Sequence, residues 1–215
     1  MRFDLVYFDL TRGLPIAWRV LRHHLGWWTT VRALVAFTRR SASSDPFAGL
    51  GPAASPAEAF TRHQLAPVLH LDVVLRDDLR STADLHDTIL QDLVGETGAA
   101  FIAHTFQQPS ADRWRTMSDR ERHAFARGVL AKFENASGET VEVGDDRFGV
   151  DVTFCHFAAL TSRLGRPDLG PLFCRADSVF FGRPESPIRL DRDETIAAGG
   201  RRCAFRFRLD PAASR

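Results

Sequence analysis

Lysine is all but missing from this chain: of 28 lysines and arginines together, only Lys132 is a lysine. With its abundant alanine this reads as the coding bias of a GC-rich genome and carries no chemistry. Excess charge is missing too. The 28 basic residues face 27 acidic ones, a formal charge of +1. The broad positive field that non-specific nucleic-acid binding needs is therefore lacking, and no nucleic-acid partner is expected. Cysteine is scarce. Three residues, Cys155, Cys174 and Cys203, cannot all pair within one chain and lack the dense spacing of a secreted scaffold, which points to reduced thiols in a cytoplasmic protein. Nor is there a long unbroken apolar run. The most apolar stretch, residues 14–37, is interrupted by Arg19, Arg22, His23, His24 and Arg32, so it does not span a bilayer cheaply. Asp4 and Asp9 break the first apolar run, so no secretory signal is expected there. No membrane partner is expected.

What the chain does have is the apolar and charged content of an ordinary globular protein of 215 residues, 44% and 26% respectively, enough for one domain with a sizeable core. Ile16, Val20, Trp27, Val31, Leu34 and Val35 recur at helical spacing with arginines between them, an amphipathic helix bent at Gly26. Such a helix can lie on a membrane surface, but covering a core with its arginine face in water is the commoner outcome and the preferred reading. Residues 41–56 are rich in Ser, Gly, Pro and Ala and form a loop, a connector or a lid. Pro67 suits the first turn of a helix running towards Leu79. Ser81 with Asp84, and more cleanly Ser118 with Glu121, read as capping signals for two further helices. Residues 1–135 are thus mainly helical.

The period then changes from helical to two. Val141 and Val143, then Phe148, Val150, Val152 and Phe154, alternate around a Gly-Asp-Asp turn as a hairpin does. A short helix from Cys155 stops at Gly165, a second follows Pro167, and SPIRLDR and CAFRFRL read as two more strands. The expected fold is α+β, an antiparallel sheet covered by helices, with the sheet in residues 136–215.

All three cysteines fall in that last part. Cys155 begins a helix, where the dipole favours a thiolate and hence a nucleophile. Cys174 and Asp177 lie one turn apart on a shared helical face. A lone cysteine in an apolar helix is ordinarily filler. Asp177 changes the odds, because a carboxylate in the run FCRADSVFF must be met by a hydrogen bond, a cation or a metal. Arg192, Arg201 or Arg202 could supply the cation in a purely structural pair. Zinc held by thiolates, with or without Asp177, is possible, although the absence of any C-x-x-C pair weakens it; no cofactor is otherwise expected. His156 follows Cys155 directly and faces elsewhere on the helix, a poor base for that thiol.

Read in order, Cys155, Leu164-Gly165, Leu169, Phe173-Cys174, Asp177, Arg192, Thr195-Ile196, Gly199 and Cys203 ahead of Phe205-Arg206-Phe207 resemble the C-terminal signature of the L-2-amino-thiazoline-4-carboxylic acid hydrolase family, over about residues 150–209. The resemblance implies an architecture like the vinyl-reductase-type ligand-binding domains. It also implies that water opens a sulfur heterocycle at its amidine carbon, giving an N-carbamoyl-cysteine. On it, Cys155, Cys174, Asp177 and Cys203 are the candidate catalytic residues, and Arg192 and Thr195 the candidate substrate-binding ones, for a small-molecule substrate. One position departs: the family commonly reads Cys-Asp-Phe where this chain has Cys203-Ala204-Phe205. That leaves two other expectations standing, a different ring opening, cyclisation or elimination in specialised metabolism, and a binding module without catalysis. A homodimer is possible.

Overall fold

Residues 2–210 are described by a computed structural model. They divide into two compact units, one ending at Phe101 and one beginning at Ile102. The first unit is helical. Helix α1 (Arg2–Phe8) passes through a widened turn, Asp9–Gly13, into α2 (Leu14–Ser43). The expected bend is at Gly26, which leaves helical geometry at φ 72° and ψ 175°, a conformation cheap only for glycine. Val20, Leu21, Thr30 and Ala33 form the buried side of α2.

The next helix corrects the sequence reading. It begins at Pro56, not at Pro67: α3 spans Pro56–Val73 with Ser55 accepting from the Glu58 N–H and Pro56 in the first turn, the position where a missing N–H costs nothing. Pro67 lies inside α3. Likewise α4 (Ala83–Thr105) is capped by Thr82, whose hydroxyl accepts from the Leu85 N–H at 3.4 Å, one residue later than Ser81. No helix among the described residues is long and apolar enough to cross a membrane.

The second unit holds the sheet. A short α5 (Ala111–Thr116), which the sequence reading missed, leads to α6 (Asp119–Ala131). The latter opens on the expected capping box of Ser118 and Glu121, with both reciprocal bonds formed. Strands β1 (Ala136–Val143) and β2 (Arg147–Cys155) make the expected hairpin. Helices α7 (His156–Arg163) and α8 (Gly170–Phe181) follow, then β3 (Ile188–Asp191) and β4 (Cys203–Leu209). The sheet is antiparallel in the order β1-β2-β4-β3, so the fold is α+β.

Registers decide what each face carries. Phe148 pairs with Phe207, Val150 with Phe205 and Val152 with Cys203, so these six share one face. That face is the core: Phe148 stacks on Phe207 at 4.6 Å and on the fully buried Trp114 at 5.4 Å. The Trp114 N–H, which needs a partner once buried, donates to the Gly144 carbonyl at 3.1 Å. Gly149, Asp151, Ala204 and Arg206 take the opposite face.

Candidate active site

The last residue of β2 is also the cap of α7, and that residue is Cys155. Helix α8 packs beside α7 through Phe157 and Phe173, whose rings stack at 3.8 Å. Gly170 makes the approach possible, because a Cβ there would sit 3.1 Å from the Thr161 hydroxyl and 3.4 Å from Ala197. One turn into α8 comes Cys174, and one turn later Asp177. From β4, Cys203 points to the same side as Val152. The turn before β4 is tied to it, since the Ile196 N–H meets the Cys203 sulfur at 3.3 Å.

These groups converge. Cys174 lies within electrostatic reach of Arg192, Asp177, Cys203 and Cys155, and Cys155 and Cys203 each sense Asp177 and Arg192. Of the three cations considered for Asp177, Arg192 is the one that meets it. Its Nη1 donates to Asp177 at 2.6 Å, its Nη2 donates to the Cys174 carbonyl at 2.6 Å, and its Cζ lies 4.9 Å from the Phe205 ring centre. The pair is largely out of water, with side-chain exposures of 7% for Arg192 and 17% for Asp177. Arg201 instead donates its backbone N–H to Glu194.

Thr195 stands differently. Its carbonyl holds the turn by accepting from the N–H groups of Ala198 and Gly200, while its hydroxyl makes no hydrogen bond among the described residues. No such bond ties it to Asp177 or Arg192. Among the described residues no group of three or more His, Cys, Asp or Glu that could hold a metal ion is found.

The electrostatics overturn one expectation. Cys155 does sit at a helix N-terminus, yet burial pushes its thiol up, not down. The sulfur closes no cap hydrogen bond, but the N–H groups of Ala158 and Phe157 turn their positive ends to it and oppose part of the rise. Burial likewise raises Cys203, against the Ile196 N–H. Cys174 is pushed up to about 12 by burial, with Arg192 opposing. Asp177 is also raised by burial, against the charge and hydrogen bond of Arg192. The site at neutral pH therefore holds protonated thiols beside a carboxyl whose proton affinity is enhanced.

All three cysteines are free, so a thiol reagent tests this directly. At neutral pH the folded protein is expected to react far more slowly than the unfolded chain. The stability consequence has a definite sign. A thiol raised on folding stabilises fully below its unfolded value and loses that contribution as pH climbs, for Cys174 between 9.0 and about 12. In that window the native state loses about 1.4 kcal/mol per pH unit for each such thiol. Denaturant midpoints above pH 9 should fall less steeply in Cys174→Ala; equal slopes would remove Cys174 from the account.

The sequence reading passed over Asp151. It is buried within β2 and held by Arg202 at 2.5 Å and Arg206 at 2.7 Å. Its register partner is Ala204, so a carboxylate stands directly across from the alanine that departs from the family pattern, on the face away from Cys203. The available signal was a charged residue between Val150 and Val152, in a strand whose neighbours on both faces are buried.

Comparison with known proteins bears on this region. Residues 81–207 match the family model described as L-2-amino-thiazoline-4-carboxylic acid hydrolase. The match begins well before residue 150 and takes in α4 through most of β4. A search of curated proteins gives no match. Among solved structures, a single-substitution variant of the Tt H-NOX protein aligns at 12% identity over 92% of this chain and 93% of that one, TM-score 0.33. An oxygen-binding H-NOX domain related to soluble guanylate cyclases aligns at 12% identity over 92% and 93%, TM-score 0.31. Scores this low carry no argument.

Proposed function

This chain belongs to the L-2-amino-thiazoline-4-carboxylic acid hydrolase family, and we propose that it hydrolyses a small cyclic amidine of the thiazoline type at the cluster of Cys155, Cys174, Cys203, Asp177 and Arg192. The observation that supports this reading is the convergence itself. Residues from the end of β2, from α8, from the following loop and from β4 come within electrostatic reach of one raised carboxyl. A packing role alone asks for none of that chemistry.

Cys155 is the best nucleophile of the three. It alone has two backbone N–H groups, from the first turn of α7, that favour its ionised form. Since its thiol is protonated at rest, a base is required, and Asp177 is that base. Sulfur adds to the amidine carbon as its proton passes to Asp177. The ring C–S bond then breaks, and the departing sulfur takes the proton back. Water adds to the isothiourea so formed on Cys155 and expels the thiol, leaving the carbamoyl product. Over the cycle one heterocycle and one water become one N-carbamoyl amino acid.

Arg192 holds Asp177 in place and limits the rise of its pKa. Two of the five guanidinium N–H donors are used in the contacts described. The others, with the Thr195 hydroxyl, are the groups offered to a substrate carboxylate. Incubation of the purified chain with 2-aminothiazoline-4-carboxylate should yield N-carbamoyl-cysteine, and quenching during turnover should reveal a mass adduct on Cys155. Tight binding with the heterocycle recovered intact would replace the hydrolase by a binding module. Conversion to a product lacking the added water would point to another reaction on the same site.

A further inference from the structure

Between Leu10 and Ser44 there is no acidic residue, while Arg12, Arg19, Arg22, Arg32, Arg39 and Arg40 all fall there. Arg19 reaches Glu96 at 3.5 Å and Arg40 reaches Asp78 at 2.7 Å. Arg12, Arg22, Arg32 and Arg39 are exposed and have no acidic partner among the described residues. In a chain with formal charge +1, this segment is one-sided in charge.

The same segment carries Trp18, Trp27 and Trp28, three of the chain's four tryptophans. Trp28 is 79% exposed and Trp27 is 52% exposed, which forfeits the largest apolar burial any side chain offers. Both follow the break at Gly26. Beyond it Trp28, Arg32, Val35 and Arg39 recur at helical spacing and all are exposed. Ahead of it Val6, Leu10 and Leu14, four residues apart, are 49%, 61% and 54% exposed. Beyond the break the opposite side of α2 is the buried one, through Thr30 and Ala33. Covering a core thus accounts for one face of the helix and leaves the other unexplained.

We propose that the face carried by Trp28, Arg32, Val35 and Arg39 docks on an anionic phospholipid surface, its arginines at the headgroup phosphates and Trp27, Trp28 and Val35 at the acyl boundary. Charge complementarity selects the occupant. Arginines without acidic neighbours suit a continuous field of phosphates, whereas a protein partner of fixed shape would call for matching pairs. The tryptophans decide between lipid and other polyanions, because an indole is most at home where an apolar layer meets a polar one. An open depression of about 350 Å³ bounded by Trp18, Arg19, Arg22 and His23 has the donors to take one headgroup. This inference stands apart from the heterocycle chemistry and does not depend on it.

The test is sedimentation of the whole chain with vesicles of phosphatidylcholine alone and of phosphatidylcholine mixed with phosphatidylglycerol. The protein should pellet with the mixed vesicles only, be released by salt, and show blue-shifted tryptophan emission when bound. Reversing two arginines in R32E/R39E should weaken binding by at least roughly thirty-fold. W27A/W28A, checked for an unchanged far-UV circular dichroism spectrum because Trp27 packs on Trp18 at 4.9 Å, should abolish the spectral shift and most of the binding. Failure to pellet with phosphatidylglycerol, or undiminished binding of both variants, overturns the proposal. So does displacement of wild-type protein from vesicles by a single-stranded oligonucleotide that W27A/W28A binds equally well.

Discussion

Asp177→Asn is expected to lower turnover of the thiazoline substrate by about 10²- to 10⁴-fold, the usual worth of a positioned proton carrier. Asparagine matches the carboxylate in shape and still offers Arg192 an acceptor, so the Arg192 contact at 2.6 Å can survive in altered form. What is lost is the capacity to take a proton from Cys155. A merely structural Asp177 predicts the same fall if the site collapses, so the pH profile carries the decision. In the wild type, Asp177 must be ionised to act. Burial raises its pKa, so activity should climb with pH through a limb displaced upward from the ordinary carboxylate range. That limb should vanish in Asp177→Asn. Cys155→Ala should lose turnover to a similar degree and lose the mass adduct as well. A limb that persists at the same pH in Asp177→Asn would assign the titration to another group and end the role proposed for this residue.

Local features of the fold were legible because their causes are local. The box of Ser118 and Glu121 satisfies backbone N–H groups within one turn, and the alternation from Val141 to Phe154 around Gly144 specifies a hairpin without reference to the rest of the chain. Where two signals competed, the sequence misled. Pro67 and Pro56 are both compatible with a first turn, and only the cap from Ser55 to Glu58 distinguishes them. The site was half legible. A carboxylate in FCRADSVFF had to find a partner, and three arginines were candidates. Choosing Arg192 required knowing that Asp151 on the far face of the sheet already holds Arg202, a fact of strand register that no spacing reveals. The direction of the Cys155 shift was misjudged for a related reason. A helix N-terminus can be read from the chain, but the burial that outweighs it is set by how α7 and α8 pack through Phe157 and Phe173.

Arg192→Leu carries the second large expectation, a loss of about 3–5 kcal/mol of stability at neutral pH. The substitution removes the donor to Asp177, the donor to the Cys174 carbonyl and the stack over Phe205 together. Most of the cost is assigned to the carboxylate, which stays buried with its counter-charge gone. That assignment makes a signed prediction. A carboxyl raised on folding contributes stability that is present below its unfolded pKa and lost as pH rises through its folded one. Without Arg192 the folded pKa of Asp177 lies higher still, so the deficit of Arg192→Leu should shrink as pH falls and the carboxyl takes up its proton. Chemical denaturation across mildly acidic to neutral pH would show the two curves converging. Arg192→Lys should restore part of the stability, since it returns the charge but not the fork that reaches both acceptors. The double variant Asp177→Leu/Arg192→Leu, which buries neither charge, should be more stable at neutral pH than Arg192→Leu alone. A deficit that is independent of pH and unrelieved in the double variant would mean that packing against Phe205, and not the cost of a lone buried charge, is what Arg192 contributes.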